Sequence, residues 1–214
     1  MLTAGAVRVV GLDEVGRGAL AGPVVFGAVL LDSACIGGGQ LLGDRCGPEV
    51  MMPPGLRDSK ALSAAQRERL CAPITQWARA TALGSASAAE IDEVGIIAAL
   101  GRAALRALMS LPMDASVVLL DGQVDLLAAV ADSVPGRPQV VTRIGADKSC
   151  ASVAAASVLA KVARDGVMAR LGGPSDDYRW RVNKGYGTAE HRAILTRLGP
   201  GVHHRRTWRS CRPA

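Results

Sequence analysis

The stretch "VVGLDEVGRGALAGPVV", residues 9–25, decides how the rest of the chain is read. It opens as an apolar strand, sets two acids side by side at Asp13 and Glu14, passes through Gly16-Arg17-Gly18, and returns to an apolar run. The Val- and Leu-rich runs over 7–12 and 24–31 read as two strands joined by the Gly-Arg-Gly turn. Adjacent carboxylates at the end of a core strand have two readings, a solvated turn or a functional site. The remaining sequence weighs between them.

Outward from this hairpin, residues 33–55 carry "IGGGQ" and "MMPPG" and read as a surface loop. In "DSKALSAAQRERLCAPITQWARA" Ser63 can cap a helix, with Leu70 and Ile74 at helical spacing. A second helical run covers about 88–110. "SVVLLDG" reads as a short buried strand that stops at Asp121, and "PQVVTRIGAD" as a strand ending close to Asp147. "ASVAAASVLAKVARDGVMARL", 151–171, is a helix packed with Ala and Ser. Strands alternating with helices predict an α/β domain over 1–171. Residues 172–214 read as a helical or irregular segment, polar and basic, holding four of the six aromatic residues.

The chain of 214 residues is expected to form one domain with a small appendage. A formal charge of +6 points to a polyanionic partner. No apolar run has the length of a membrane span, and the N-terminus does not read as a signal peptide. Cys35, Cys46, Cys71, Cys150 and Cys211 are odd in number, with no C-x-x-C pair. Neither a disulfide framework nor a zinc site is indicated, and a reducing cytoplasm is the expected home.

Three expected strands finish at or just before an acid: Asp13 with Glu14, Asp121, and Asp147. Ligands of open α/β sheets bind beyond strand ends. If these strands are neighbours ending on one side, four carboxylates converge and repel one another unless a cation joins them. Carboxylate oxygens without His or Cys suit hard ions such as Mg²⁺ and Mn²⁺, as in two-metal phosphoryl transfer. Each acid also has a bland reading. Asp121-Gly122 fits a turn, Asp147 a helix cap, and Asp13 and Glu14 a solvated surface.

Taken together, "GLDEVGRGALAGPVV", "LLDG", "ASVAAASVLAKVARD" and "NKGYGTAEH" resemble the ribonuclease HII family, the type 2 RNases H, in the family's own motif order. The resemblance spans nearly the whole chain. It implies an RNase H-like mixed sheet flanked by helices, with a C-terminal helical segment. It implies cleavage of the RNA strand of RNA–DNA hybrids and incision 5′ of single ribonucleotides in duplex DNA, leaving 3′-OH and 5′-phosphate ends. The implied ligands of two Mn²⁺ or Mg²⁺ ions are Asp13, Glu14, Asp121 and Asp147. The implied partners are hybrid and ribonucleotide-containing duplexes; protein partners are unspecified, and a monomer is expected.

The resemblance also gives Gly16, Arg17 and Gly18 the role of sensing a ribose 2′-hydroxyl, and gives Tyr186 that of packing on the sugar at an RNA–DNA junction. Lys184 is a candidate phosphate contact, as are Ser157 and Lys161, which share a helix face with Asp165. Arg17 has the alternative of a surface ion pair, and Tyr186 that of a core tyrosine. Asp165 supports the site or simply edges the helix. Asp58-Ser59-Lys60 matches a family motif and reads as a substrate-side or structural loop. "HHRRTWR" reads as a phosphate track or an ordinary tail.

Two departures stand out. Gly145 occupies a position where the family often has lysine, with Lys148 a possible substitute. The loop "GGGQLLGDRCG" looks longer than the motif spacing requires. Type HIII relatives carry a domain before the catalytic one; with an acid already at position 13, type HII is expected. The rival readings are another nuclease of the RNase H superfamily and a non-catalytic nucleic-acid-binding module.

Overall fold

The computed structural model describes residues 8–32, 51–112, 115–134 and 136–211, leaving aside the side chains of residues 131 and 132. The stretch 37–47, Cys35 and Cys46 lie outside the described residues. Five strands form a mixed sheet in the order β3-β2-β1-β4-β5. They are β1 (Arg8–Val15), β2 (Val24–Asp32), β3 (Ala80–Ala86), β4 (Val117–Asp121) and β5 (Gln139–Arg143). β1 and β2 are the expected antiparallel hairpin, with Val15 opposite Val25. β1, β4 and β5 run parallel, so their C-terminal ends share one edge of the sheet.

Helices cover both faces. On one, Val10, Leu12, Phe26, Ala28 and Leu30 alternate inward against Leu100, Ala103, Ala104 and Ala107 of the α3 helix (Ile96–Met109). On the other, Val29 and Leu31 meet Ile74 and Trp77 of α1 (Ala64–Trp77) and Ala155, Ala156 and Val158 of α5 (Ala151–Leu171). α5 lies very close to the sheet. A Cβ on Gly11 would fall 2.3 Å from the Ser152 carbonyl carbon, and one on Gly27 2.2 Å from the Ala156 oxygen. Glycine in the strands and Ala or Ser on the helix permit that approach. It brings Ser157 of α5 against Asp13.

Ser63 caps α1 as expected. Its hydroxyl accepts from Gln66 N, and Gln66 Oε1 accepts from Ser63 N, an arrangement worth about 1 kcal/mol. Ser87 and Glu90 repeat it at α2 (Ala88–Val94). The single helix expected over 88–110 is two: Gly95, with φ 79°, ends α2 and opens α3. β3 has no counterpart in the sequence reading. Its small residues carry little alternation, and it is covered because Gly84 admits the α3 backbone, where a Cβ would stand 2.0 Å from the Ala103 oxygen.

Two strand ends also differ from expectation. β1 continues to Val15, so Asp13 and Glu14 lie inside the strand, held by pairing to Gly27 and Phe26. β5 stops at Arg143, four residues short of Asp147. That acid belongs to the short α4 (Ala146–Ser149), whose N-cap is Gly145, so Asp147 is not a cap. After α5 come α6 (Trp180–Asn183) and α7 (Ala189–Leu198). Cys71, Cys150 and Cys211 are free thiols. No described helix is long and apolar enough to cross a membrane.

Candidate active site

The three parallel strands deliver their acids to one end of the sheet. Asp13 and Glu14 come from β1, Asp121 is the last residue of β4, and Asp147 follows β5. Asp13 Oδ1 accepts from Glu14 N at 2.8 Å, and the Ser157 hydroxyl donates to the Asp13 carboxylate. Asp121 Oδ1 accepts from Ala146 N at 2.8 Å, tying the end of β4 to the helix that bears Asp147. Asp147, buried, accepts from Lys60 Nζ at 3.1 Å. Asp13, Glu14 and Asp121 line a cleft of about 340 Å³, together with Gly16, Arg17, Gly18, Lys60, Lys161 and Tyr186.

Burial, and then the neighbouring Glu14, push the Asp13 carboxyl up to about 8. Burial also raises Glu14; Arg17 opposes the rise and Asp121 adds to it. For Lys60, burial favours the neutral amine, but the hydrogen bond and charge of Asp147, followed by Asp58 and Asp13, outweigh it and raise the pKa. Such acids are short of positive charge. Their donors are all hard oxygens, which fits Mg²⁺ or Mn²⁺. Among the described residues no three His, Cys, Asp or Glu side chains already stand together as a cage, and Lys60 supplies the cation on Asp147.

The other candidate residues divide. Arg17 is half-exposed and lies 3.7 Å from Glu14, the ion pair named as its alternative. Gly16 has φ +91° and Gly18 lines the same cleft. Tyr186 is half-buried at the rim, with the Lys161 ammonium 5.8 Å and the Arg164 guanidinium 5.2 Å from its ring centroid. Lys161 also pairs with Asp165 at 2.8 Å. Ser157 is buried in the wall of the same cleft, its hydroxyl oxygen 2.6 Å from Ser59 Oγ, and it supports Asp13 from beneath. Lys184 takes a left-handed conformation, φ 52°, with its carbonyl turned to Arg164. Asp58-Ser59-Lys60 is both structural and site-facing: Asp58 caps a short turn while Lys60 reaches Asp147. Lys60, and not Lys148, is the cation found on Asp147.

Sequence reasoning missed two buried arginines. Arg164 and Arg205 are fully buried beneath the Gly-Arg-Gly turn. Arg205 donates to the carbonyls of Gly16, Arg17 and Gly22 at 2.7–3.2 Å. "HHRRTWR" is therefore neither a simple phosphate track nor a loose tail, because His204 and Arg205 are interior. The available signal for Arg164 was a cation in the middle of an Ala- and Val-rich helix.

A sequence model of the ribonuclease HII family matches residues 10–211. The chain belongs to the ribonuclease HII family. The ribonuclease HII of Streptomyces griseus is 44% identical over 209 residues, covering 96% of this chain and 79% of the relative. That of Thermosynechococcus vestitus is 44% identical over 202 residues, covering 94% and 83%. The crystal structure of ribonuclease H2 from Pyrococcus horikoshii OT3 superposes with a TM-score of 0.75 at 24% identity, covering 96% and 95%. The RNase HII of the Archaeoglobus fulgidus PCNA:RNase HII complex gives 0.71 at 23%, covering 95% and 96%. Bst-RNase HIII in complex with Mn²⁺ gives 0.57 at 18%, covering 90% and 70%. The mixed sheet and its helices are thus the RNase H-like fold of ribonuclease HII structures. The protein is a type 2 ribonuclease H, an endonuclease of a family that cleaves the RNA of RNA–DNA hybrids.

Proposed function

We propose that this ribonuclease HII is metal-dependent and incises duplex DNA on the 5′ side of a single embedded ribonucleotide, as well as cutting the RNA strand of hybrids. The products are a 3′-hydroxyl and a 5′-phosphate. The observation that carries this reading is the convergence of Asp13, Glu14 and Asp121 in the cleft that also holds the Gly16–Gly18 turn and Tyr186.

Asp13, Glu14, Asp121 and Asp147 would hold two Mg²⁺ or Mn²⁺ ions, which when bound supply an activated water and stabilise the leaving oxygen. The chain's own residues do the rest. Acids gathered in the path of a polyanion give up their protons only to a cation, a liability for a binding module and an asset for a metal-dependent nuclease. Ser157 holds Asp13 in orientation from beneath. The Gly16 and Gly18 backbone has no side chain to keep a sugar away, so it is suited to reading a 2′-hydroxyl, the group that separates RNA from DNA. Arg17, half-exposed, is placed for a phosphate. Tyr186, half-buried at the cleft rim, is placed to pack its ring on the neighbouring sugar, with the cations of Lys161 and Arg164 close to it.

The test is incubation of a DNA duplex containing one ribonucleotide, and of an all-RNA/DNA hybrid, with and without Mn²⁺ or Mg²⁺. Metal-dependent cutting 5′ of the single ribonucleotide supports the reading. Cutting of the hybrid alone, or cutting in excess chelator, overturns it.

A further inference from the structure

The Gly16–Gly18 turn and the loop around Tyr186 are distant in sequence and meet on one guanidinium. Arg164, from the middle of α5, donates through Nε to the Pro23 carbonyl at 2.8 Å and through Nη2 to that of Ala21 at 3.0 Å. Its Nη1 donates to the Lys184 carbonyl at 2.8 Å. The first two acceptors follow the Gly-Arg-Gly turn, and the third lies two residues before Tyr186. Gly16 packs on the same side chain, where a Cβ would fall 2.1 Å from Arg164 Nε. Backbone bonds lace the two segments: Leu20 N and Ala21 N both donate to the Gly185 carbonyl, at 2.8 and 3.2 Å. The Tyr186 ring lies over the guanidinium.

No ion pair holds Arg164 among the described residues; three carbonyls do. An apolar side chain of similar volume would fill this space without the cost of burying a charge. What it would not supply is a planar fork that fixes three carbonyls from two segments at set distances. The charge is thus better explained by the geometry it imposes than by packing.

We propose that Arg164 is a positioning residue for ribonucleotide recognition, setting the spacing between the Gly-Arg-Gly turn and Tyr186 so that a 2′-hydroxyl and the sugar beside it are read together. This rests on the substrate reading given above and deepens it. A duplex with one ribonucleotide offers a single productive register. A hybrid offers a 2′-hydroxyl at every nucleotide, so several registers serve. Loosening the link therefore penalises the single ribonucleotide more.

The experiment is Arg164→Lys, which keeps the charge but cannot span three carbonyls. It is measured as kcat and KM on both substrates, beside a thermal melt. The expected result is a cooperatively melting protein whose kcat/KM on the single ribonucleotide falls roughly tenfold to a hundredfold, as for a small misplacement of reacting groups. The hybrid should fall by a few-fold at most. Equal losses on both substrates, or none, overturn the proposal. Should Arg164→Lys not fold, Gly185→Ala decides instead. Its Cβ would meet the Ala21 oxygen at 2.5 Å and wedge the same two segments apart with Arg164 intact. The same selective loss is expected of it, and an unselective one overturns the proposal. Wild type that cuts both substrates beside an unselective variant removes only the role of Arg164, whereas wild type that leaves the single ribonucleotide uncut removes both readings.

Discussion

The Nε2 atoms of His191 and His204 lie 3.1 Å apart in the interior, joined by one hydrogen bond. Their neighbours fix which ring carries the proton. Gly201 N donates to His204 Nδ1 at 3.0 Å, so that nitrogen is bare. His204 Nε2 therefore donates to His191 Nε2, and His191 Nδ1 donates to the Tyr186 carbonyl at 2.9 Å. One further proton on either ring would set N–H against N–H. Both rings are neutral, and the chain of bonds ends on the backbone of Tyr186.

Stability should accordingly fall on acidification. Burial first, and then His191, pull His204 down to about 4, while an unfolded histidine titrates near 6.5. Between these values the unfolded chain binds a proton that the folded one refuses, so the contribution is complete above about 6.5 and is lost as pH falls toward 4. The Tm should drop by roughly 7–14 °C across this window, at about 1.4 kcal/mol per pK unit and about 2–4 °C per kcal/mol for a chain of this size. His204→Gln should flatten that part of the profile. Identical pH profiles for the two proteins would contradict the neutral pair.

Asp13→Asn or Asp121→Asn should abolish turnover, a loss on the order of a thousandfold or more, and leave hybrid binding intact, because neutral Asn sets no negative charge against the phosphates. Gel-shift affinity beside cleavage rates checks this. Binding lost in step with cleavage, in a folded variant, counts against the assignment.

Mn²⁺ should raise the Tm of the wild type, since binding to the native state alone stabilises it by about 2.7 kcal/mol at a hundred times Kd. The increment should shrink in Asp147→Asn. A flat thermal scan up to millimolar Mn²⁺ argues against the acids as a metal site.

Tyr186→Ala should slow cutting at a single ribonucleotide by about tenfold to a hundredfold, the scale of stacking on a nucleotide at about 1–3 kcal/mol. Tyr186→Phe should do much less, because the ring face makes the contact. A core role predicts instead a lowered Tm and equal losses on every substrate.

Gly27→Ala tests the closeness of α5 to the sheet. Its Cβ would stand 2.2 Å from the Ala156 oxygen, a backbone atom that must move. Overpacking of this kind costs about 1–3 kcal/mol, and the acids carried by β1 should shift with it. An unchanged Tm and full activity would show that the helix yields freely.

The sequence by itself determined the hairpin and the sheet-and-helix alternation, and it named the four acids, Arg17 and Tyr186 as candidates. Those features are written in local terms: runs of Val and Leu, the Ser63 cap, glycines beside an arginine, and acids in or near the strand ends. Only the tertiary structure decided the rest. β3 is invisible locally because its small residues are defined by the helix that covers them, not by their own pattern. Lys60 reaches Asp147 across 87 positions, and Arg205 reaches Gly16 across 189. Which carbonyls a buried arginine holds has no sequence signature, because any residue supplies a carbonyl and only the fold says which ones face it.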